Sequence, residues 1–284
     1  MQGRVALITG ATSGIGFETA LGLARAGGRI VMHGRDPARL ARAARAVMAA
    51  SGNQAVKTLT ADLLSQAEIH RLALEFTEAY DRLDVLVNNA GAIFPDRRLT
   101  VDGYERTWAL NHLGYVALTL GLIGALRAAK DARIVNVASR AHQRATLEFD
   151  NLQAERRFAP MDAYSRSKLG NVFFTYALAT RLKGSGITVN CLHPGVVATG
   201  FGRQMPGLFG LGIKFARPFF ISARKGALTS IFLASSPEVA GLSGAYFADC
   251  RRAKSSALSH DAGLSERLWR LSLDQVGGAE PRLS

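Results

Sequence analysis

Tyr164 and Lys168 stand four residues apart in Tyr164-Ser165-Arg166-Ser167-Lys168, within a stretch of helical period, so both side chains fall on one helix face. A free tyrosine titrates near ~10 and is a poor base at neutral pH. A lysine ammonium beside it, joined by a second cation, favours the phenolate. Lowering the phenol by about three units takes roughly 4 kcal/mol of differential interaction, within reach of two close cations in a shielded site. Such a pair can give or take a proton at a carbonyl or hydroxyl oxygen. Alone, the spacing is common and usually means nothing.

A second constellation supplies the missing cation. The first apolar run ends in Thr9-Gly10-Ala11-Thr12-Ser13-Gly14-Ile15-Gly16 and leads into a helical stretch from Phe17. Gly10 permits a tight turn, Gly14 lets the backbone approach a pyrophosphate, and Gly16 allows helix and strand to pack closely. The helix N-terminus then offers unpaired N–H groups to the anion. A glycine trio is a weak signal by itself, and a merely structural turn is the bland reading. The strand before and helix after make it a dinucleotide site, with Thr12, Ser13 and Ile15 lining the turn. The second cation would be an oxidised nicotinamide ring.

The second strand bears on which dinucleotide. An NAD site expects an acid about twenty residues past the glycines, to hold the ribose 2′-hydroxyl. Here the chain reads Val31-Met32-His33-Gly34-Arg35-Asp36-Pro37. Asp36 stands directly before a proline and a helical run, the position of an N-cap. Arg35, with Arg39 one turn later, can instead grip a 2′-phosphate, although solvated surface is the ordinary role of such arginines. NADP(H) is favoured over NAD(H).

The elements that must position these residues follow from the pattern. Strands are predicted at Val5–Thr9, Arg29–His33, Ala55–Thr60, Val85–Asn88, Arg133–Ala138, Thr188–His193 and Ala245–Phe247. Helical periods lie near 15–26, 37–50, 66–80, 101–129, 161–183, 222–235 and 261–274. Alternating βα units predict a Rossmann-type, doubly wound α/β fold, a parallel sheet of about seven strands with helices on both faces. The near-continuous apolar strands fit burial on both sides. No Pro-, Ser- or Gly-rich linker and no repeat interrupts the pattern, so one domain over 1–284 is expected, with an insertion at about 200–221.

Further motifs stand at the strand ends: Asn88-Asn89-Ala90-Gly91, Val137-Ala138-Ser139 and His193-Pro194-Gly195-Val196-Val197-Ala198-Thr199. With these in order, the sequence resembles the short-chain dehydrogenase/reductase family over nearly its whole length. Phe149-Asp150-Asn151-Leu152-Gln153, Lys168-Leu169-Gly170-Asn171 and Leu192-His193-Pro194-Gly195 look like its retinol-dehydrogenase-like branch. The resemblance implies Tyr164 as general acid or base, and Lys168 lowering its pKa and bonding the nicotinamide ribose. It implies Ser139 orienting the substrate oxygen and Asn111 holding a water of the proton relay. It also implies Asp62 and Leu63 beside the adenine, Asn88, Ala90 and Gly91 along the cofactor cleft, and Pro194, Gly195, Val197 and Thr199 at the nicotinamide, with part of the Asn-Asn-Ala-Gly motif steadying the sheet. The bland roles are a strand-end turn residue for Ser139 and a satisfied helix polar for Asn111. Two features depart from the family pattern: Ser13 stands where many relatives have a basic residue, and Ser139 and Tyr164 lie 25 positions apart. The extra Arg140–Ala159 stretch is expected at the rim of the substrate cleft.

Composition narrows the function classes. The chain has 284 residues, 48% hydrophobic and 20% charged, which excludes intrinsic disorder. Two cysteines make no disulfide framework, and six histidines without H-E-x-x-H spacing argue against a metal enzyme. The formal charge of +13 raises the question of nucleic acid, but the basic residues are dispersed rather than gathered beside stacking aromatics, so no nucleic-acid partner is expected. The 200–221 segment carries Phe201, Met205, Leu208, Phe209, Leu211, Phe215, Phe219 and Phe220. It reads as a lid over a lipophilic carbonyl or alcohol, or equally as core packing or an oligomer contact. Grease with positive charge also permits peripheral membrane contact. The first apolar run begins too early for a leader, and no run spans a membrane, so a cytoplasmic protein is the default. Family habit implies a homodimer or homotetramer through sheet edges and the helices at 101–129 and 161–183. His112 and His142 read as structural or rim residues. The alternative to an enzyme is a catalytically silent NADP-binding sensor, disfavoured because Asn111, Ser139, Tyr164 and Lys168 are all present.

Overall fold

The computed structural model describes residues 1–195 and 221–278; Val197, Thr199 and nearly all of the proposed lid lie outside the described residues. Strands β1 (Val5–Ile8), β2 (Arg29–Gly34), β3 (Val56–Thr60), β4 (Val85–Asn88), β5 (Arg133–Val137), β6 (Thr188–Leu192), β7 (Ala245–Ala248) and β8 (Arg251–Arg252) form one sheet. Their order is β3-β2-β1-β4-β5-β6-β7-β8, parallel except for the antiparallel β7–β8 pair. The order reverses between β1 and β4, which opens a crevice beyond the carboxyl ends of the strands.

Alternation within each strand splits the core in two. Val5 and Leu7 of β1 face one way, towards helices α3 (Gln66–Ala79), α5 (Gly114–Gly121), α7 (Pro160–Arg181) and α9 (Ala262–Val276). Ala6 and Ile8 face the other way, towards α1 (Gly14–Arg25), α2 (Pro37–Ser51) and α8 (Ala223–Ser235). Both faces of the central strands are therefore dry, and this is why they read as unbroken apolar runs. The helix caps follow the sequence: Asp36 accepts from the Arg39 N–H and Ser65 from that of Glu68.

Two elements differ from expectation. The eighth strand follows β7 through Asp249 and Cys250, both at positive φ (47° and 59°), a tight hairpin turn without the usual glycine. The helix predicted at 101–129 is broken. Residues Leu99 and Glu105 instead form a bridge around Gly103 at φ 83°, and helix α4 (Arg106–Trp108) starts where the Glu105 carboxylate accepts from the Thr107 and Trp108 N–H groups. A π-helical turn, Ala109–Leu113, joins α4 to α5, and a break at Leu122 precedes α6 (Ile123–Arg127). Periodicity cannot see this, because buried apolar residues recur through every piece, Trp108 and Leu113 in one core cluster and Val116, Leu118, Leu122 and Ala125 in another.

A polar ladder crosses that core. The Asn88 amide donates to Thr119 Oγ1 and Asn136 Oδ1, both at 2.9 Å, and the Asn136 amide donates to Thr175 Oγ1 at 3.0 Å. It stitches β4 and β5 to α5 and α7, and all four residues are fully buried. Asn136→Ala leaves two buried groups short of partners, so chemical denaturation should show a loss of about 2–3 kcal/mol. A loss under about 0.5 kcal/mol would contradict a structural role for the ladder.

Candidate active site

The glycine turn is built against the β4 turn. The Thr9 hydroxyl accepts from the backbone N–H groups of Asn89 (2.9 Å) and Ala90 (3.0 Å), drawing the two turns together. Gly10 sits at φ 65°, and a Cβ there would lie 2.9 Å from Ala90 Cα. A Cβ on Gly16 would meet Gly10 O at 2.4 Å and Asn89 Nδ2 at 2.5 Å. Gly14 lies at φ 60°, and Ser13, the N-cap of α1, makes no side-chain cap, while no acid occupies the first turn. The uncapped N–H groups at Gly14, Ile15 and Gly16 thus suit a pyrophosphate. Asn89 is a residue that motif reading passed over: its amide donates to Thr9 O at 2.8 Å and braces the turn from behind.

Beyond β2, Thr12 packs so closely on Gly34 that a Cβ there would stand 2.5 Å from Thr12 Cγ2. Asp36 is occupied as the α2 cap, whereas Arg35 is exposed at the cleft end of β2. Buried His33 lies 3.1 Å from Ala61 O, with its pKa lowered to about 4 by desolvation, and joins the ends of β2 and β3 as a neutral ring. Asp62 turns the next loop by accepting from Leu64 N at 3.1 Å, and Leu63 is buried in the core. The residues of this rim fit a dinucleotide through the glycine cradle and the uncapped helix.

Tyr164 and Lys168 lie on α7, facing the ends of β4 and β5, and both are almost wholly buried. Lys168 Nζ donates to Val137 O, the last carbonyl of β5, at 2.9 Å. It stands 5.3 Å from the Tyr115 ring centroid and 5.8 Å from that of Tyr164. A Cβ on Gly91 would lie 3.1 Å from Asn111 Oδ1 and 3.4 Å from Lys168 Nζ, so a side chain there would press on Asn111 and touch Lys168. Asn111, in the π-helical turn, accepts from Ala92 N and donates to Ala92 O, each at 2.9 Å, and donates to Ser167 Oγ at 3.0 Å.

Ser139 ends the β5 side. It caps the 3₁₀ turn Arg140–Arg144 by accepting from Ala141 N at 3.2 Å, and its hydroxyl is near enough to the Tyr164 phenol to draw that group's pKa down. Gly195, at φ 83°, donates its N–H to His193 Nδ1 at 3.1 Å, which shapes the turn after Pro194. Ser139, Tyr164, Lys168, Asn111 and Gly91 therefore converge. Asn88 points into the core ladder instead of the cleft. Part of the Arg140–Ala159 stretch packs on α7 through Leu147, Phe149 and Leu152, and Arg166 Nη1 donates to the carbonyls of Asn151 and Leu152.

Burial sets the ionisation. Desolvation pushes the Tyr164 phenol up to about 12, against the pull of the Ser139 hydroxyl, and pushes Lys168 down to about 7. The direction at Tyr164 is opposite to the lowering expected of Lys168 and a cationic ring: the surrounding protein favours the neutral phenol, a proton donor. For Lys168, the folded chain loses its proton near pH 7 and the unfolded chain near 10.5, so the unfolded state holds more protons between those values. Stability of the dinucleotide-free protein should then rise with pH across that window, by up to about 1.4 kcal/mol per unit. Lys168→Met should flatten the rise relative to wild type in denaturant titrations; an identical slope in both proteins would contradict the assignment.

Residues 4–206 match the family described as short chain dehydrogenase. Retinol dehydrogenase 14 of Homo sapiens is 39% identical, with 98% of this chain and 87% of that protein covered. Retinol dehydrogenase 12 of Mus musculus is 38% identical over the same shares. Among solved structures, a putative uncharacterized protein from Mycobacterium Paratuberculosis superposes with a TM-score of 0.81 at 31% identity, covering 99% of this chain and 96% of its own. The RhlG/NADP active-site complex of Pseudomonas aeruginosa gives 0.68 at 29% identity, covering 87% and 94%. A sheet that reverses at β1/β4, with a glycine cradle and a buried Tyr–Lys pair at that crevice, accords with these matches, and the chain belongs to the short-chain dehydrogenase/reductase family of oxidoreductases, in its retinol-dehydrogenase-like branch.

Proposed function

We propose that the protein interconverts a lipophilic alcohol and its carbonyl with NADP(H), Tyr164 acting as general acid or base. The observation that carries this reading is the buried Tyr164–Lys168 pair on α7, with the Ser139 hydroxyl beside the phenol. The dinucleotide supplies or accepts the hydride when bound. In reduction, the Tyr164 hydroxyl gives its proton to the substrate oxygen as the carbonyl carbon receives the hydride. Ser139 Oγ donates to the same oxygen, and its bond strengthens as negative charge develops there. Burial keeps the phenol protonated, the form that reduction needs as its proton donor. The Lys168 ammonium, poised near neutrality on the Val137 carbonyl, can return a proton to Tyr164 after turnover.

The lipophilic substrate class rests on the relatives, which are named as retinol dehydrogenases. The greasy 200–221 segment is consistent with the same class. NADP(H) preference is supported by exposed Arg35 at the end of β2 and by Asp36 being engaged as a helix cap. A structural relative is described as an NADP complex. A screen of hydrophobic aldehydes and ketones by NADPH oxidation tests the activity. Tyr164→Phe should lower kcat by at least about 100-fold with NADPH affinity retained; full activity would overturn the mechanism. Arg35→Ala should weaken NADPH binding roughly tenfold to hundredfold and leave NADH binding unchanged. Equal effects on the two cofactors would remove the 2′-phosphate role.

A further inference from the structure

His142 is fully buried three residues after Ser139, and both of its ring nitrogens are engaged. Nε2 lies 3.0 Å from the backbone nitrogen of Ser256, and Nδ1 lies 2.6 Å from the carbonyl oxygen of Ser139. An amide N–H can only donate, so Nε2 is the acceptor. The single proton of the neutral ring then sits on Nδ1 and is donated to the Ser139 carbonyl. Each partner enforces the same tautomer.

The contact closes a circuit. Ser139 stands beside Tyr164, near the start of α7, and lowers the phenol's pKa against the effect of burial. Twelve residues further along α7, the Tyr176 hydroxyl bonds Ser255 Oγ at 2.8 Å. Ser255 precedes Ser256, whose carbonyl is held by Ser259 Oγ at 2.6 Å. From α7 the path thus runs through the 255–259 segment and His142 to Ser139 and back to Tyr164. The ring packs 4.9 Å from Tyr246 of β7, which bears on its other neighbour His193 at 5.9 Å. Burial, with His193 nearby, holds the His142 pKa below its ordinary value, although the Ser139 carbonyl pulls upwards.

We propose that His142 is a positioning residue for Ser139: as the Nδ1–H tautomer it anchors the Ser139 backbone to the Ser256 segment and so sets where the Ser139 hydroxyl meets Tyr164 and the substrate oxygen. The inference rests on the catalytic reading of Ser139. It goes beyond that reading by assigning the carboxyl-terminal segment a part in site geometry.

Asparagine and glutamine separate the two bonds. An Asn amide nitrogen can take the place of Nδ1 and keep the Ser139 contact, whereas a Gln amide oxygen reaches towards Nε2 and keeps the Ser256 contact. Measured with Ser139→Ala, His142→Asn should keep kcat within about threefold of wild type. His142→Gln should lose about tenfold or more in kcat, with NADPH affinity unchanged, as expected for sub-ångström displacement of a reacting group. Both variants should lose similar thermal stability. Equal kcat losses in the two, or losses that merely track Tm, would overturn the proposal, as would no loss in either while Ser139→Ala is impaired. Full activity of Ser139→Ala would instead remove the catalytic reading of Ser139, and this proposal with it. ¹⁵N-histidine spectra of the wild-type protein, assigned by difference from His142→Asn, give an independent check. The Nδ1–H tautomer is expected, and the Nε2–H tautomer would overturn the assignment whatever the variants do.

Discussion

The ammonium of Lys168, held on the Val137 carbonyl inside the fold, is the interaction on which the rest of the site depends. A buried cation is costly unless something polar receives it. The last carbonyl of β5 receives it, because the strand ends there and the backbone turns away through Ala138 and Ser139. The same carbonyl lies 3.4 Å from the Tyr115 hydroxyl. Strand end, π-helical turn and α7 must all be in place for the charge to be accommodated, and the same packing brings the Ser139 hydroxyl near Tyr164.

The Asn88-Asn89-Ala90-Gly91 segment shows how four adjacent residues serve four purposes. Asn88 stitches the core, Asn89 braces the glycine turn, and Ala90 is the surface on which Gly10 rests. Gly91 leaves the space that Asn111 and Lys168 fill. The backbone runs out of a buried strand into an open crevice over this distance, so each successive side chain meets a different environment. Hydrogen bonding to Thr9 locks the register of the whole turn, linking the glycine turn to the Tyr164–Lys168 cluster through one segment.

The parallel sheet was legible because strands dry on both faces read as apolar runs, and Gly10, Gly14 and Gly16 announced the cradle. Asp36 before Pro37 was legible as a cap because that role is local. The short strand β8 was not, since its turn uses Asp249 and Cys250 at positive φ, where a glycine would have signalled it. The break between Leu99 and Glu105 was hidden because the capping carboxylate of Glu105 is buried and reads like an ordinary helix residue.

Fold class, the glycine turn and the pairing of Tyr164 with Lys168 can be read from residues adjacent in the chain, because backbone conformation and helical spacing are local properties. The direction in which burial moves the two ionisations, the division of labour within Asn88–Gly91 and the engagement of His142 arise from packing between distant segments. His142 meets a residue more than a hundred positions away, at Ser256. Desolvation and long-range hydrogen bonds depend on which distant segments pack together, and no local pattern encodes them.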